Sequence, residues 1–327
     1  MEQIRRAAAR RTLPLAVLLP AAALMAAGPS PASESGGGAT PPGGTSGGGK
    51  PTVVLVHGYW ADASGWDRVV ENLQSRGYPV VATANPLRSL SGDADYLAAR
   101  LKAIEGPIVL VGHSYGGAVI TNAAAGNPNV ESLVYIAGFA PDKGESAFQL
   151  AAKFPGSRVT DDPNAPVPTA LNAVPLGGDA TNVDLYLKPE KFSDVFLSDR
   201  LDASRVKVLA ATQRPATAAS GNEPTRAAAW KTIPSWYLVP TDDRTIGTEN
   251  LRFMAKRAEA TTVEVDAPHA VMETNPEDVT KLILRAAGDS RPSLASTGTS
   301  GRTAFLGGAA VLAVAAGTAI VIRARRA

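Results

Sequence analysis

Residues 112–117 read Gly-His-Ser-Tyr-Gly-Gly, a G-x-S-x-G pattern between an apolar run and a stretch rich in small residues. In that setting the pattern describes a serine on a sharp strand-to-helix turn, its hydroxyl presented at the strand's end above a helix N-terminus. Gly112 and Gly116 supply the very small residues such a turn needs on either side. A serine hydroxyl needs a general base. The sequence holds three histidines. His57 follows the first strand, and His113 directly precedes the serine and faces elsewhere from a tight turn, which leaves His269, between the last strand and the last helix. The base needs an orienting carboxylate, and the segment Pro240-Thr241-Asp242-Asp243-Arg244-Thr245-Ile246 offers two. Neighbouring side chains point in different directions, so only one of Asp242 and Asp243 reaches His269. Asp266 and Glu273, close to His269 in sequence, read as solvated or capping residues. An oxyanion formed by attack at a carbonyl needs backbone donors. The Tyr115 N–H supplies one, and the Tyr59 N–H, in the loop His57-Gly58-Tyr59-Trp60, supplies the second. With no cysteine in the chain, thiol catalysis, disulfides and zinc ribbons are excluded. The chemistry indicated is acyl transfer through a covalent serine intermediate.

Such a site must be held by a sheet, and the sequence supplies one. Short runs rich in Val, Ile and Leu alternate with helical patterns, the mark of a parallel sheet covered on both faces. Strands are predicted at 52–56, 80–83, 108–111, 133–137, 235–239 and 262–265, and helices at 66–76, 94–104, 115–125, 249–257 and 276–286. The interval 141–231 breaks the alternation. Its proline-rich first half and helical stretches at 189–197 and 225–230 predict an inserted lid that contributes no strand to the sheet.

Together these residues resemble the α/β-hydrolase superfamily over nearly all of 51–287. The stretches His57-Gly58-Tyr59-Trp60, Gly112 to Gly117, Ala137-Gly138-Phe139-Ala140-Pro141-Asp142 and Asp266-Ala267-Pro268-His269 resemble its small serine esterases, those related to salicylate methyl esterases and hydroxynitrile lyases. The resemblance implies an α/β fold of about six mostly parallel strands, helices on both faces and a lid before the acid-bearing strand. It favours Asp243 over Asp242, because Asp243-x-x-Ile246 matches the D-x-x-[IV] pattern of related hydrolases. It implies hydrolysis of small or medium carboxylic esters by a Ser114, His269, Asp243 triad, with no cofactor and no metal. The related lyases carry a threonine and a lysine where this chain has Gly58 and Ala270, which favours hydrolysis over cyanohydrin cleavage. A ligand-binding or adhesion protein that keeps the triad, and a cofactor-free perhydrolase or haloperoxidase-like enzyme, are the alternatives the fold leaves open. Trp60 and Phe139 are expected to line the substrate pocket, with Phe192, Phe196 and Trp230 as further aromatic candidates.

The two ends read as sorting segments. Arg5, Arg6, Arg10 and Arg11 precede an apolar run from Leu13 to Ala27, so 1–32 is expected to be a signal peptide, with paired arginines that fit either Sec or twin-arginine export. Residues 33–50 form a Gly/Pro/Ser-rich linker. At the other end, in the linker 288–302, Leu294-Ala295-Ser296-Thr297-Gly298 resembles the LAxTG signal of class E sortases, which implies cleavage between Thr297 and Gly298. The apolar run 303–322 is long enough to cross a bilayer, and Arg323, Arg325 and Arg326 in the tail 323–327 would stay cytoplasmic. The resulting expectation is a secreted protein anchored to the cell wall by a class E sortase after transient membrane insertion, or else held by the C-terminal helix itself. The formal charge of +2 and mean hydropathy of −0.01 argue against a nucleic-acid binder and a polytopic membrane protein. Eight of the 32 basic residues but one of the 30 acidic ones lie in 1–32 and 298–327, so the remainder has 24 basic and 29 acidic residues, a net charge of −5.

Overall fold

The computed structural model describes residues 49–289 apart from 163 and 179–181. The expected signal peptide, nearly all of the first linker, the sorting motif with Thr297 and Gly298, the apolar run 303–322 and the basic tail lie outside the described residues. Among those described, no helix is long and apolar enough to cross a membrane.

The strands are β1 (Thr52–Val56), β2 (Val80–Thr83), β3 (Ile108–His113), β4 (Val130–Ile136), β5 (Leu171–Pro175), β6 (Val183–Leu187), β7 (Ala216–Thr217), β8 (Ser235–Pro240) and β9 (Thr261–Val265). Six of them form one sheet in the order β2-β1-β3-β4-β8-β9, every neighbouring pair parallel. β3 is buried along its whole length, as a strand covered on both faces must be, while the edge strand β9 (TTVEV) is mostly open.

The helices are α1 (Asp67–Gln74), α2 (Leu90–Lys102), α3 (Tyr115–Ala123), α4 (Ala147–Ala151), α5 (Pro189–Leu197), α6 (Ala203–Thr212), α7 (Ala218–Asn222), α8 (Thr248–Arg257), α9 (Val271–Thr274) and α10 (Pro276–Ala286). Alternation along β3 separates the two faces. Gly112 faces α3, and a Cβ placed on it would come within 2.5 Å of the Gly116 carbonyl oxygen. Val109 is three residues away and points oppositely; in register with it, Ser132 donates from its hydroxyl to the Ala286 carbonyl of α10. α2 and α3 thus cover one face and α1 and α10 the other.

Four sequence expectations are corrected. β3 runs two residues further than predicted, through His113, because His113 stays in register with Ile136. α2 begins at Leu90 instead of 94, where the Ser89 hydroxyl caps it by accepting from the Gly92 N–H. The insertion between β4 and β8 adds nothing to the main sheet, as predicted, but has a three-stranded antiparallel sheet of its own, β5-β6-β7. Its helix at 189–197 is found as α5, whereas 225–230 yields only one 3-10 turn at Ala229–Lys231.

The fold sets the site by its topology. After β1 the chain turns outward to β2, and β3 then returns to the other side of β1, so the carboxyl ends of β1 and β3 open a crevice between diverging connections. His57-Gly58-Tyr59 leaves one of those ends and Ser114 leaves the other.

Candidate active site

Ser114 joins β3 to α3 with φ 53° and ψ −125°, a conformation that L side chains rarely adopt. It is held there by its own backbone. Its N–H donates to Ile136 (3.3 Å), and its carbonyl accepts from Gly117 (2.9 Å) and Phe139 (3.0 Å). Close backbone approach explains the surrounding glycines: a Cβ on Gly116 would strike the Val56 carbonyl, and one on Gly58 would lie 2.6 Å from the Ser114 Cβ and 2.9 Å from the Tyr115 nitrogen. The loop after β1 is therefore pressed against the serine turn.

His269 and Asp243 are brought together from the loops after β9 and β8. His269 Nδ1 donates to Asp243 Oδ2 at 2.6 Å, and both side chains are fully buried. The other carboxylate oxygen, Oδ1, accepts from the backbone N–H groups of Thr245 (2.9 Å), Ile246 (2.8 Å) and Gly247 (3.2 Å). Burial opposes the Asp243 carboxylate, but His269 and these N–H donors outweigh it and hold its pKa below the usual value. With Nδ1–H committed to the carboxylate, Nε2 carries the basic lone pair. Nε2 is buried and has no hydrogen-bond partner among the described residues, so the bond from the Ser114 hydroxyl is open in this state.

The other acids are engaged elsewhere. Asp242 pairs with Arg244 (3.1 Å) and Arg200 (3.3 Å), Asp266 with Arg200 (2.7 Å) and Glu273 with Arg205 (2.9 Å). Asp266 and Glu273 are thus ion-pair partners and not simple caps. His113 Nε2 donates to the His269 carbonyl (3.1 Å), and the ring packs 4.8 Å from that of His269. Burial, and then the neighbouring His269, drive the His113 pKa well down, so it packs against His269 as a neutral ring. His57 accepts from the Asn85 N–H (3.1 Å), away from the serine.

A pocket of about 470 Å³ opens onto Ser114. Tyr59, Trp60 and Phe139 line it from the core, Thr245 and Ile246 from the acid loop, and Phe148, Phe154, Pro155 and Val159 from the insertion; no lining residue is charged. Phe192, Phe196 and Trp230 do not line it. Phe192 and Phe196 are buried, Phe196 lying 5.3 Å from the His269 ring, and Trp230 Nε1 donates to the Pro141 carbonyl (2.9 Å). The insertion's share of the wall was not apparent from sequence, because Phe148 sits in α4, a helix of five residues, and Phe154 in the irregular chain after it, both too short to show a period.

A family profile described as "Alpha/beta hydrolase family" matches residues 53–282, most of the chain. The chain belongs to the alpha/beta hydrolase family. Among its relatives is the carbendazim hydrolyzing esterase of Nocardioides sp. (strain SG-4G), 33% identical over 113 residues, which are 31% of this chain and 47% of that protein. The match thus spans about half the length of that relative. A pyrethroid hydrolase of Sphingobium wenxiniae is 26% identical over 249 residues, 71% of this chain and 85% of that protein. Among solved structures, the crystal structure of polyneuridine aldehyde esterase superposes with a TM-score of 0.61 at 20% identity, covering 72% of this chain and 98% of that one. At that identity the shared feature is the hydrolase fold.

Proposed function

We propose that this hydrolase cleaves uncharged carboxylic esters through Ser114, His269 and Asp243. The observation that carries the reading is the buried His269–Asp243 pair at 2.6 Å, set beside a strained serine at the mouth of an uncharged pocket. Substrate binding closes Ser114 Oγ onto His269 Nε2, a contact that commonly tightens only in the loaded enzyme. The oxygen attacks the ester carbonyl carbon and its proton passes to Nε2. Asp243 stabilises the imidazolium. The carbonyl oxygen becomes an oxyanion that the Tyr59 and Tyr115 N–H groups receive. Collapse breaks the bond to the alkoxy oxygen, which takes the proton from His269 and leaves as the alcohol. Water then repeats the sequence on the acyl-enzyme and releases the acid.

Two relatives named as an esterase and a pyrethroid hydrolase support an ester substrate. The uncharged lining of the pocket disfavours groups that carry a net charge. The LASTG segment, with the apolar run and arginines after it, supports wall anchoring by a class E sortase.

The test is labelling of the full chain with a fluorophosphonate, beside turnover of nitrophenyl esters of rising acyl length. The wild type should be labelled and active, and Ser114→Ala should lose both. A wild type that neither takes the label nor turns over any ester rejects the reading.

A further inference from the structure

The two residues assigned here to the oxyanion are also tied to each other through their side chains. The Tyr59 and Tyr115 rings stack with centroids 4.2 Å apart and planes at 15°. Each phenol is anchored at its far end. Tyr115 donates to Asp93 Oδ2 at 2.9 Å, and Asp93 Oδ1 also accepts from the Arg88 N–H at 3.2 Å. The Tyr59 hydroxyl bonds the Ser220 hydroxyl of α7 at 2.8 Å, and Ser220 is bonded in turn to the Thr217 hydroxyl at 2.8 Å. All of these side chains are buried. Burial pushes both phenols well above the usual tyrosine range, so they stay protonated.

The insertion's end of this chain of contacts is also the pocket wall. Ser220 is followed by Gly221, and a Cβ there would collide with the Phe148 ring, which lines the pocket. One short segment thus holds the Tyr59 phenol with its serine and admits the Phe148 ring with its glycine. Trp60, the next residue along the loop, has φ 57°, and its ring nitrogen donates to the Leu185 carbonyl of β6 at 2.9 Å. The loop that carries the Tyr59 N–H is therefore pinned to the insertion at two successive residues.

We propose that the Tyr59 phenol and Ser220 are positioning residues, which aim the Tyr59 N–H at the oxyanion and make that aim depend on seating of the insertion. The proposal rests on the esterase reading above. It separates two jobs within one residue: the backbone of Tyr59 stabilises charge, and its side chain sets where that backbone lies. A mis-aimed donor weakens the transition state and leaves ground-state binding of a short ester almost unchanged.

The experiment uses the full chain and three variants, Tyr59→Phe, Ser220→Ala and the double. Tyr59→Phe keeps the stacked ring and removes only the hydroxyl. For a short-chain nitrophenyl ester, each single variant should lower kcat on the order of 10-fold with KM almost unchanged, less than the ~10²-fold or more lost with a whole donor. The double variant should fall no further than the worse single one, because both remove the same bond. A trifluoromethyl ketone probes the same point without turnover. Ser114 Oγ adds to its carbonyl carbon, the serine proton passes to His269, and the carbonyl oxygen becomes the oxyanion. Its affinity should fall in step with kcat. Variants that lose thermal stability but keep kcat and ketone affinity give the two residues a merely structural role and overturn the proposal, as do losses that add in the double variant. Fluorophosphonate labelling separates this from failure of the underlying reading: a labelled wild type with unaffected variants rejects the brace alone, and an unlabelled, inactive wild type rejects both.

Discussion

At Asp243 one carboxylate oxygen takes three backbone N–H bonds and the other faces His269, while its neighbour Asp242 pairs with two arginines at the protein surface. Asp243→Asn should therefore lower kcat by about 10⁴-fold, because an amide no longer selects the Nδ1–H form of His269. Asp242→Asn should leave kcat within a few-fold and cost about 0–1 kcal/mol of stability, the usual worth of surface ion pairs. Steady-state kinetics and thermal melts of the two variants check this contrast, and equal losses would reverse the assignment. The buried histidines have a different consequence. His57 and His113 are both held below the ordinary histidine pKa, chiefly by burial. The unfolded chain then binds more protons than the folded one below about pH 6.5, so stability falls as pH drops through that value, by up to ~1.4 kcal/mol per pH unit for each ring. Asp93, raised by burial against its hydrogen bonds from Arg88 and Tyr115, opposes this at the acid end. The melting temperature should fall between about pH 7 and pH 5, and less steeply in His113→Gln; a curve flat across that range in the wild type contradicts the argument.

Most strands of the main sheet were legible as short runs rich in Val, Ile and Leu, and β1 and β2 lie at the predicted residues. The turn at Ser114 and the candidacy of His269 could be read because a G-x-S-x-G after such a run marks a strand-to-helix turn and the chain has few histidines. The insertion was legible as an interruption and in its helix α5, but not in its sheet. Its β5-β6-β7 sheet is made of short strands, one of two residues, and β7 reaches β6 from beyond α5 and α6. No local pattern marks Asn250 either, yet its side chain bonds the insertion. Its amide oxygen accepts from the Phe154 N–H (2.9 Å), and its amide nitrogen donates to the carbonyls of Ala151 (3.1 Å), Phe154 (3.0 Å) and Ile246 (2.7 Å). The side chain thus clamps the pocket wall at Phe154 to the loop that carries Asp243. Asn250→Ala leaves those partly buried groups unpaired and should cost about 1 kcal/mol or more. Because the freed wall faces the substrate, KM for long acyl esters should change more than KM for acetyl esters. Urea unfolding and the nitrophenyl ester series measure the two effects, and a stability loss with an unchanged chain-length profile would confine Asn250 to folding.

Across the whole chain, charge divides by location. The two end segments take eight of the 32 basic residues, and what lies between them carries a net charge of −5. The near-neutral total therefore describes neither part: a mildly acidic hydrolase domain lies between two cationic segments, to which the proposed anchoring gives the roles of export and sorting. This division was legible from sequence alone, since charge beside an apolar run is a one-dimensional signal, whereas the clamp at Asn250 and the Tyr59 brace exist only once distant residues meet. Under the proposed anchoring, Thr297 supplies the carbonyl that the sortase transfers to the wall, and the apolar run after it only holds the chain at the membrane until transfer. The two roles predict different failures. Thr297→Ala should abolish covalent wall attachment and leave the uncleaved chain in the membrane fraction, whereas a stop codon after Gly298 should release the protein into the medium. In both cases nitrophenyl esterase activity per molecule should stay at the wild-type level, because neither change touches residues 49–289. Fractionation of intact cells after wall digestion distinguishes the outcomes, and Thr297→Ala protein that remains in the wall digest at the wild-type level removes the sortase from the account.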